Sequence, residues 1–534
     1  MMRSKSAANG GNRMERDPIL LVAFYNKKAL GVRYLERSLV KSGFRAYVLF
    51  LKNFNSRKPE PVRPDELVLL KKLVDRLKPG LIGLSVMSSL YLGSVVTVNS
   101  FLKKEFKIPV VWGGVYASMF PESCLEHADL VLRGECEEAM VELAAAVLDG
   151  KDFSGIRNLA YKQPFRDGGS KVVINALRPL CEDLDRLGHP ISGLENKFYI
   201  DKGRIRFGDP MKDSVSYELS SSRGCPFMCS YCCSINLKRM YAGYGRYLRF
   251  RSAASVIGEL EEALSNNRSI KVIHFWDEIF PDDDAWIAAF ASQYKARIGL
   301  PFEIWAHPLR ISSSTISRLA DAGLYKVVMG IQSGSPRIRK DIFHRSETQQ
   351  DILEAAKILS QSRVPQVVYD FMLRHPFENE EDMEQTYKLC RSLERPFELQ
   401  LHGLHFFPGT DITGIAEKKG ITAMNTPGTE QSGRISDAYK SYWGLKSSNR
   451  MMNYWYSLIY LSQFRTGILL SDLLYSKGQS SMTVNAALLL QKLFRPAAMM
   501  RYLYKKLVLL IISASVRKNI TKVGKQTIQY NEGK

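Results

Sequence analysis

Residues 216–234 read SYELSSSRGCPFMCSYCCS. A short strand candidate (216–221) runs directly into a loop that places Cys225, Cys229 and Cys232 at Cys-x-x-x-Cys-x-x-Cys spacing. Three thiolates on one loop can each hold one iron of a [4Fe–4S] cube and leave the fourth iron open to another ligand. A zinc site with Cys233 as a fourth thiolate is the competing reading. It is disfavoured because neighbouring residues rarely ligate one ion and zinc ligands usually come as two spaced pairs. The chain holds eight cysteines in 534 residues, too few for a disulfide scaffold. Cys124, Cys136, Cys181 and Cys390 have no partner spacing and read as buried thiols.

Downstream of the loop, strand candidates recur at VIHFW (272–276), FEIWA (302–306), YKVVMG (325–330), VVYDFML (367–373) and LQLHGLHFF (399–407). Helical spacing fills the gaps. In 252–265 Ser252 suits an N-cap, and Val256, Leu260, Ala263 and Leu264 share one face. Six βα units are too few to close an eight-fold barrel, so residues 216–420 are expected to form a partial (β/α)6 barrel. Its site should lie at the strand C-terminal ends. Upstream, ILLVAFY (19–25), AYVLFL (46–51), LIGLSV (81–86), PVVWGG (109–114) and DLVLRG (129–134) alternate with helical stretches. Continuous apolar runs of this length suit strands buried on both faces of a parallel sheet. Residues 18–150 therefore read as a flavodoxin-like, doubly wound α/β domain, with Ser85 and the pair Gly113–Gly114 at strand ends. Residues 1–17 form a polar tail, expected to be disordered, and 151–215 a less regular connecting segment.

Composition narrows the class. With 45% hydrophobic and 24% charged residues the chain is globular. No run reaches the roughly 18 apolar residues of a membrane span, and the polar N-terminus lacks a secretory apolar core. A cytoplasmic protein is expected. The net charge of +21 favours an anionic partner. Much of it lies in 434–534, where 16 basic residues face three acidic ones. The region 421–534 is expected to be mainly helical. Within it, YLYKKLVLLIISASV (502–516) sets paired lysines beside an apolar run. That segment suits either a helix capping the barrel or one lying on a membrane surface.

The motifs closely resemble those of the radical S-adenosylmethionine (SAM) enzymes. Tyr231 is the aromatic residue that commonly precedes the third cysteine. YLRFRSAASVIGEL (247–260) resembles the entry to the first barrel helix, and HFWDEIF (274–280) the second-strand motif, with Asp277 and Glu278 at the strand end. GIQSGSPRIRK (330–340) is similar to the fourth-strand motif, with Gln332 in place of the usual glutamate. FMLRHPFENEEDM (371–383) matches the fifth-strand pattern through Pro376 and Glu378, with Arg374 where glycine is usual. FFPGTDI (406–412) resembles the end of the sixth strand. Residues 110–143 resemble the cobalamin-binding domain that precedes the barrel in one large, methyltransferase-type subfamily.

The resemblance implies a [4Fe–4S] cluster on Cys225, Cys229 and Cys232, and SAM near Asp277, Arg310 and Gln332. It implies cobalamin against Asn26, Lys28, Gly31, Ser85, Gly113 and Gly114. In many such domains a histidine after the first strand binds cobalt. Here Lys28 holds that position, and the first histidine of the chain is His127. His274 and His307 read as satisfied core residues. In the implied chemistry SAM chelates the open iron, a 5′-deoxyadenosyl radical takes a hydrogen atom, and methylcobalamin methylates an unactivated carbon. A cobalamin-dependent radical cyclase or oxidase is the alternative within enzymes. A nucleic-acid-binding protein with a structural cluster is the alternative from another class, and no recognisable nucleic-acid-binding motif supports it. The implied partners are a small-molecule or lipid substrate and an electron donor such as flavodoxin or ferredoxin, with membrane contact through the C-terminal region.

Overall fold

In a computed structural model, residues 16–54, 60–190, 196–421 and 449–531 are described, with side chains to 511 and at Ser513. Most of the polar tail 1–17 and the stretch 422–448 lie outside the described residues.

The first sheet is built on β1 (Ile19–Phe24), β2 (Ala46–Leu51), β3 (Leu81–Ser85), β4 (Val110–Gly113) and β5 (Leu130–Leu132). These pair in parallel in the order β5-β4-β3-β1-β2. This is the flavodoxin-like order with its switch point between β1 and β3, where ligands of such sheets bind. Leu20, Val22 and Phe24 enter one apolar core, and Ile19, Leu21 and Ala23 the other. Period-two alternation thus divides one uninterrupted apolar run between two helical layers.

The segment 151–215 is more ordered than its sequence suggested. It supplies the hairpin β6 (Leu159–Pro164) and β7 (Ser170–Ile174) to one edge of the sheet. The hairpin β8 (Lys197–Asp201) and β9 (Arg204–Phe207) extends the other edge, giving nine strands.

The second sheet has six parallel strands, β10 (Ser216–Leu219), β13 (Val272–Phe275), β14 (Phe302–Ala306), β15 (Leu324–Gln332), β16 (Gln366–Met372) and β17 (Glu398–His402), in chain order. A short antiparallel pair, β11 (Ser222–Arg223) with β12 (Arg249–Phe250), flanks the cysteine loop. The partial (β/α)6 barrel is as expected. Its first long helix, Ala253–Asn266, begins as read from sequence: the Ser252 hydroxyl accepts from Ser255 N, and Val256, Leu260 and Ala263 are buried.

The C-terminal region is helical over Arg450–Ser462, Arg465–Ser476 and Ser481–Asn531. Tyr454, Trp455, Leu458 and Ile459 join the barrel core, so these helices cap it on one face. Among the described residues no helix is long and apolar enough to cross a membrane.

Candidate functional site

The C-terminal strand ends of the two sheets enclose a cavity of about 400 Å³. On the first sheet, β4 ends in Gly113 and Gly114. Gly114 has φ +104, and a Cβ there would meet the Val86 carbonyl at 2.8 Å, so the turn accepts only glycine. Gly113 and Gly31 line the cavity with bare backbone, a Cβ on Gly31 would meet nothing within 4 Å, and Ser85 closes the end of β3. Glycines among apolar side chains such as Leu30, Val32 and Met87 at the strand ends suit the approach of a flat corrinoid. Asn26 is exposed, and its Oδ1 accepts from Lys28 N at 2.9 Å. Lys28 does not line this cavity; its ammonium pairs with Glu218 of β10. No histidine lines the cavity among the described residues, and His127 stacks on Trp112 at 5.8 Å.

Opposite, Gly224 (φ +89) turns the chain into the cysteine loop; a Cβ there would strike the Tyr247 carbonyl. Ser230 fixes the loop. Its N–H donates to Phe343 O at 3.0 Å, its hydroxyl to Ile342 O at 2.5 Å, and its carbonyl accepts from Ile412 N at 2.9 Å. Burial pushes the half-buried Cys225 thiol up to about 11, so binding iron here must displace protons, whereas Cys232 is exposed. The three thiols sit on one braced loop, and among the described residues no three ligating side chains converge as they would on a single metal ion.

Of the residues expected around SAM, Asp277 and Gln332 each carry a buried oxygen without a partner. Asp277 Oδ1 accepts from Ser221 Oγ at 3.0 Å and from Ser222 Oγ, whereas its Oδ2 has no partner. Burial raises its pKa to about 6 despite the two hydroxyls. Gln332 adopts φ +70 where the β15–β16 register shifts, backbone strain of the kind that collects at functional sites. Its Nε2 donates to Asp370 Oδ2 at 3.2 Å and its Oε1 is unpaired. Arg310 turns instead to Asp282 at 2.8 Å.

The sequence reading missed Asp370 and His402, at the ends of β16 and β17. His402 Nε2 lies 3.1 Å from Asp370 Oδ2, and Asp370 Oδ1 is unpaired. Burial lowers the His402 pKa, but Asp370 outweighs it and holds the imidazole above its ordinary value. It also missed buried Arg345, which donates to the Tyr231 hydroxyl at 3.0 Å, to Gly330 O at 2.7 Å and to Glu347 at 2.5 Å. His307 lies 3.4 Å from Glu347 and stacks on Phe227 at 3.7 Å, so this network ties the cysteine loop to β15. His274 pairs with Glu303. Cys124, Cys136 and Cys390 are buried as expected, but Cys181 is only half-buried.

Arg374, where glycine is usual, has φ +56. Its N–H donates to Glu378 at 2.5 Å and its guanidinium lies 4.2 Å from the Tyr456 ring centroid, so a C-terminal helix braces the strained turn.

The two sheets are clamped across the cavity. Arg223 pairs with Glu137 at 2.6 Å and Glu135 at 3.3 Å, and Arg249 Nη1 donates to Glu135 at 3.1 Å.

A glycine-lined switch point thus faces a braced loop that carries three thiols. Family comparison agrees: the B12 binding domain model matches residues 17–144 and the radical SAM superfamily model residues 219–390. The uncharacterized methyltransferase PH0819 of Pyrococcus horikoshii is 26% identical over 331 residues, covering 61% of this chain and 67% of that protein. The anaerobic magnesium-protoporphyrin IX monomethyl ester cyclase of Rubrivivax gelatinosus is 25% identical over 333 residues, covering 60% of this chain and 56% of that protein. The cobalamin-dependent SAM radical enzyme OxsB, solved with aqua-cobalamin and SAM bound, shares the fold with a TM-score of 0.61. Its identity is 13%, over 95% of this chain and 81% of that one. The chain belongs to the cobalamin-binding branch of the radical SAM superfamily, and its cofactors are a [4Fe–4S] cluster, SAM and cobalamin.

Proposed function

We propose that this enzyme transfers a methyl group to an unactivated carbon of a small-molecule or lipid substrate. The observation that supports the reading is the cavity lined by Gly31, Ser85, Gly113 and Gly114 on one side and by Arg223, Gly224 and Glu278, at the entry to the cysteine loop, on the other. When bound, the cluster and SAM supply a hydrogen-abstracting carbon radical and the corrinoid supplies the methyl group. The chain's own residues orient these groups. Cys225, Cys229 and Cys232 hold the cluster. The unpaired oxygens of Asp277, Gln332 and Asp370 accept hydrogen bonds from SAM's polar groups. Gly31, Ser85, Gly113 and Gly114 let the backbone approach the corrinoid. Arg223 and Arg249 hold the two sheets together over it.

The reading extends to a flavodoxin or ferredoxin as electron donor, and to a cytoplasmic enzyme that touches the membrane through its C-terminal helices. The resemblance to PH0819 supports methyl transfer, and that to the R. gelatinosus protein supports cyclisation as the second reading. Mass spectrometry of metabolites from cells with and without the gene, fed methionine labelled in its methyl group, tests it. A product that carries the labelled methyl is expected. Loss of hydrogens with no label gained would replace methyl transfer with cyclisation or oxidation.

A further inference from the structure

The helix Ser481–Asn531 carries nine Lys and Arg residues and no Asp or Glu. One of its faces is fixed to the barrel. Val484 and Ala487 are buried, Arg501 Nη1 donates to Phe397 O at 3.3 Å, Lys505 pairs with Glu398 at 2.6 Å, and the Tyr325 hydroxyl donates to Lys505 O at 2.8 Å. Among the described residues nothing packs against the opposite face. Met482, Leu489, Leu493, Met500, Tyr504, Leu507 and Ile511 are each more than half exposed. At 3.6 residues per turn they fall within about 60° of the helix circumference and form a stripe about 44 Å long. Lys492 and Lys506 are exposed on one flank of the stripe, about 60° and 100° from its edge on the helical wheel. Leu469 and Leu473 of the neighbouring helix Arg465–Ser476 are also exposed.

A continuous apolar stripe of this extent on a folded protein marks an interaction surface. Charge selects its occupant. A second copy of this chain would bring two uniformly basic helices together. A nucleic acid would meet the lysines but leave the leucines, methionines and isoleucine in contact with a polar backbone. An anionic bilayer takes both: acyl chains accept the stripe, headgroups accept the lysines, and tyrosines favour the boundary between them.

We propose that the face built on Met482–Ile511 is a docking surface for an anionic lipid bilayer, with the helix axis in the plane of the interface. This deepens, and rests on, the membrane-contact reading above. The helix is anchored at the beginning of β15 and β17, so the bilayer lies at the end of the barrel opposite the cysteine loop. Docking therefore places the enzyme on the membrane and leaves the cleft between the sheets unobstructed.

The test uses the full-length protein without SAM or reductant, so it is independent of which reaction the enzyme performs. Flotation is measured with vesicles of phosphatidylcholine alone and of phosphatidylcholine mixed with phosphatidylglycerol. Selective binding to the mixed vesicles, weakening as salt rises, is expected. Lys492→Glu with Lys506→Glu should weaken partitioning at least 30-fold, the equivalent of about 1 kcal/mol per lysine removed. Leu489→Ser with Leu493→Ser and Leu507→Ser should abolish it; all three are exposed, so an unchanged circular dichroism spectrum and melting temperature confirm the fold. Full binding by the leucine variant would overturn the stripe while keeping membrane contact through another surface. No binding to either vesicle would overturn membrane contact itself. Concentration-dependent dimerisation lost in the leucine variant, with no vesicle binding, would assign the stripe to a second copy instead.

Discussion

Replacing Asp277 by Asn tests the electrostatics of the cleft in isolation. The carboxyl is buried, two serine hydroxyls donate to Oδ1, and nothing donates to Oδ2. Desolvation raises its pKa to about 6 from an ordinary value near 3.9. The fold thus favours the protonated acid. Below about pH 4 the group is neutral in both folded and unfolded chains and contributes no difference. Above about pH 6 the folded state carries a charge it disfavours by about 3 kcal/mol, from two pK units at 1.36 kcal/mol each. Asparagine keeps the acceptor toward Ser221 and Ser222 and removes that charge. Its amide adds a pH-independent penalty, because the new N–H groups also lack a partner. The informative quantity is therefore the pH dependence. Relative to the parent, Asp277→Asn should gain about 2 kcal/mol between pH 4 and pH 7, seen as a rise of about 4–8 °C in the difference of barrel melting temperatures. Scanning fluorimetry of both proteins across that range without SAM measures it. A difference that stays flat with pH would refute a raised Asp277 pKa.

Three further outcomes follow from the same geometry. Alanine at Cys225, Cys229 or Cys232 should remove the iron chromophore and SAM cleavage, whereas Cys233→Ala should retain both; full iron content in Cys229→Ala would contradict the ligand set. Arg223→Ala leaves Glu137 without its partner at the domain interface, while Glu135 keeps Arg249, and should cost about 3 kcal/mol, the lower end for a broken buried pair because Arg223 keeps some exposure. A second, earlier melting transition is its signature, and an unchanged single transition would count against the clamp. With no histidine lining the cavity among the described residues and Lys28 held by Glu218, electron paramagnetic resonance of the cob(II)alamin form should lack nitrogen superhyperfine splitting from a protein ligand; such splitting, lost on mutating a histidine, would prove the opposite.

The sequence was most readable where one physical requirement dominates. Strands buried on both faces must be continuously apolar, so β1–β5 and the six barrel strands stand out. The three cysteines stand out because their chemistry needs that spacing. The hairpins β6–β7 and β8–β9 escaped notice because edge strands are half-solvated: KVVI between polar residues and RIRF carry no long apolar run. Asp370 and His402 escaped for a different reason. A polar residue ending a strand looks alike in sequence whether it faces solvent or a cofactor, and only the closing of β15, β16 and β17 side by side brings Gln332, Asp370 and His402 together. The partner of Lys28 is a tertiary fact, since Glu218 belongs to the other sheet.

That partner changes what the loop after β1 does. In the cobalamin domains this one resembles, the position of Lys28 presents a ligand to the metal; here it reaches across to the first strand of the barrel. Lys28–Glu218, Arg223–Glu137 and Arg249–Glu135 thus join the two sheets at three points around the cleft. Separating the sheets would leave the partly buried carboxylates of Glu135, Glu137 and Glu218 without their partners, and an uncompensated buried charge is strongly destabilising. The gap between the corrinoid wall and the cysteine loop is therefore set by ion pairs rather than by a hinge. A short-lived radical gains from such an arrangement, because the group that must meet it is already in place and no domain closure has to compete with its decay. The loop after β1, through Lys28, adds one of the ion pairs that hold the two sheets at this separation.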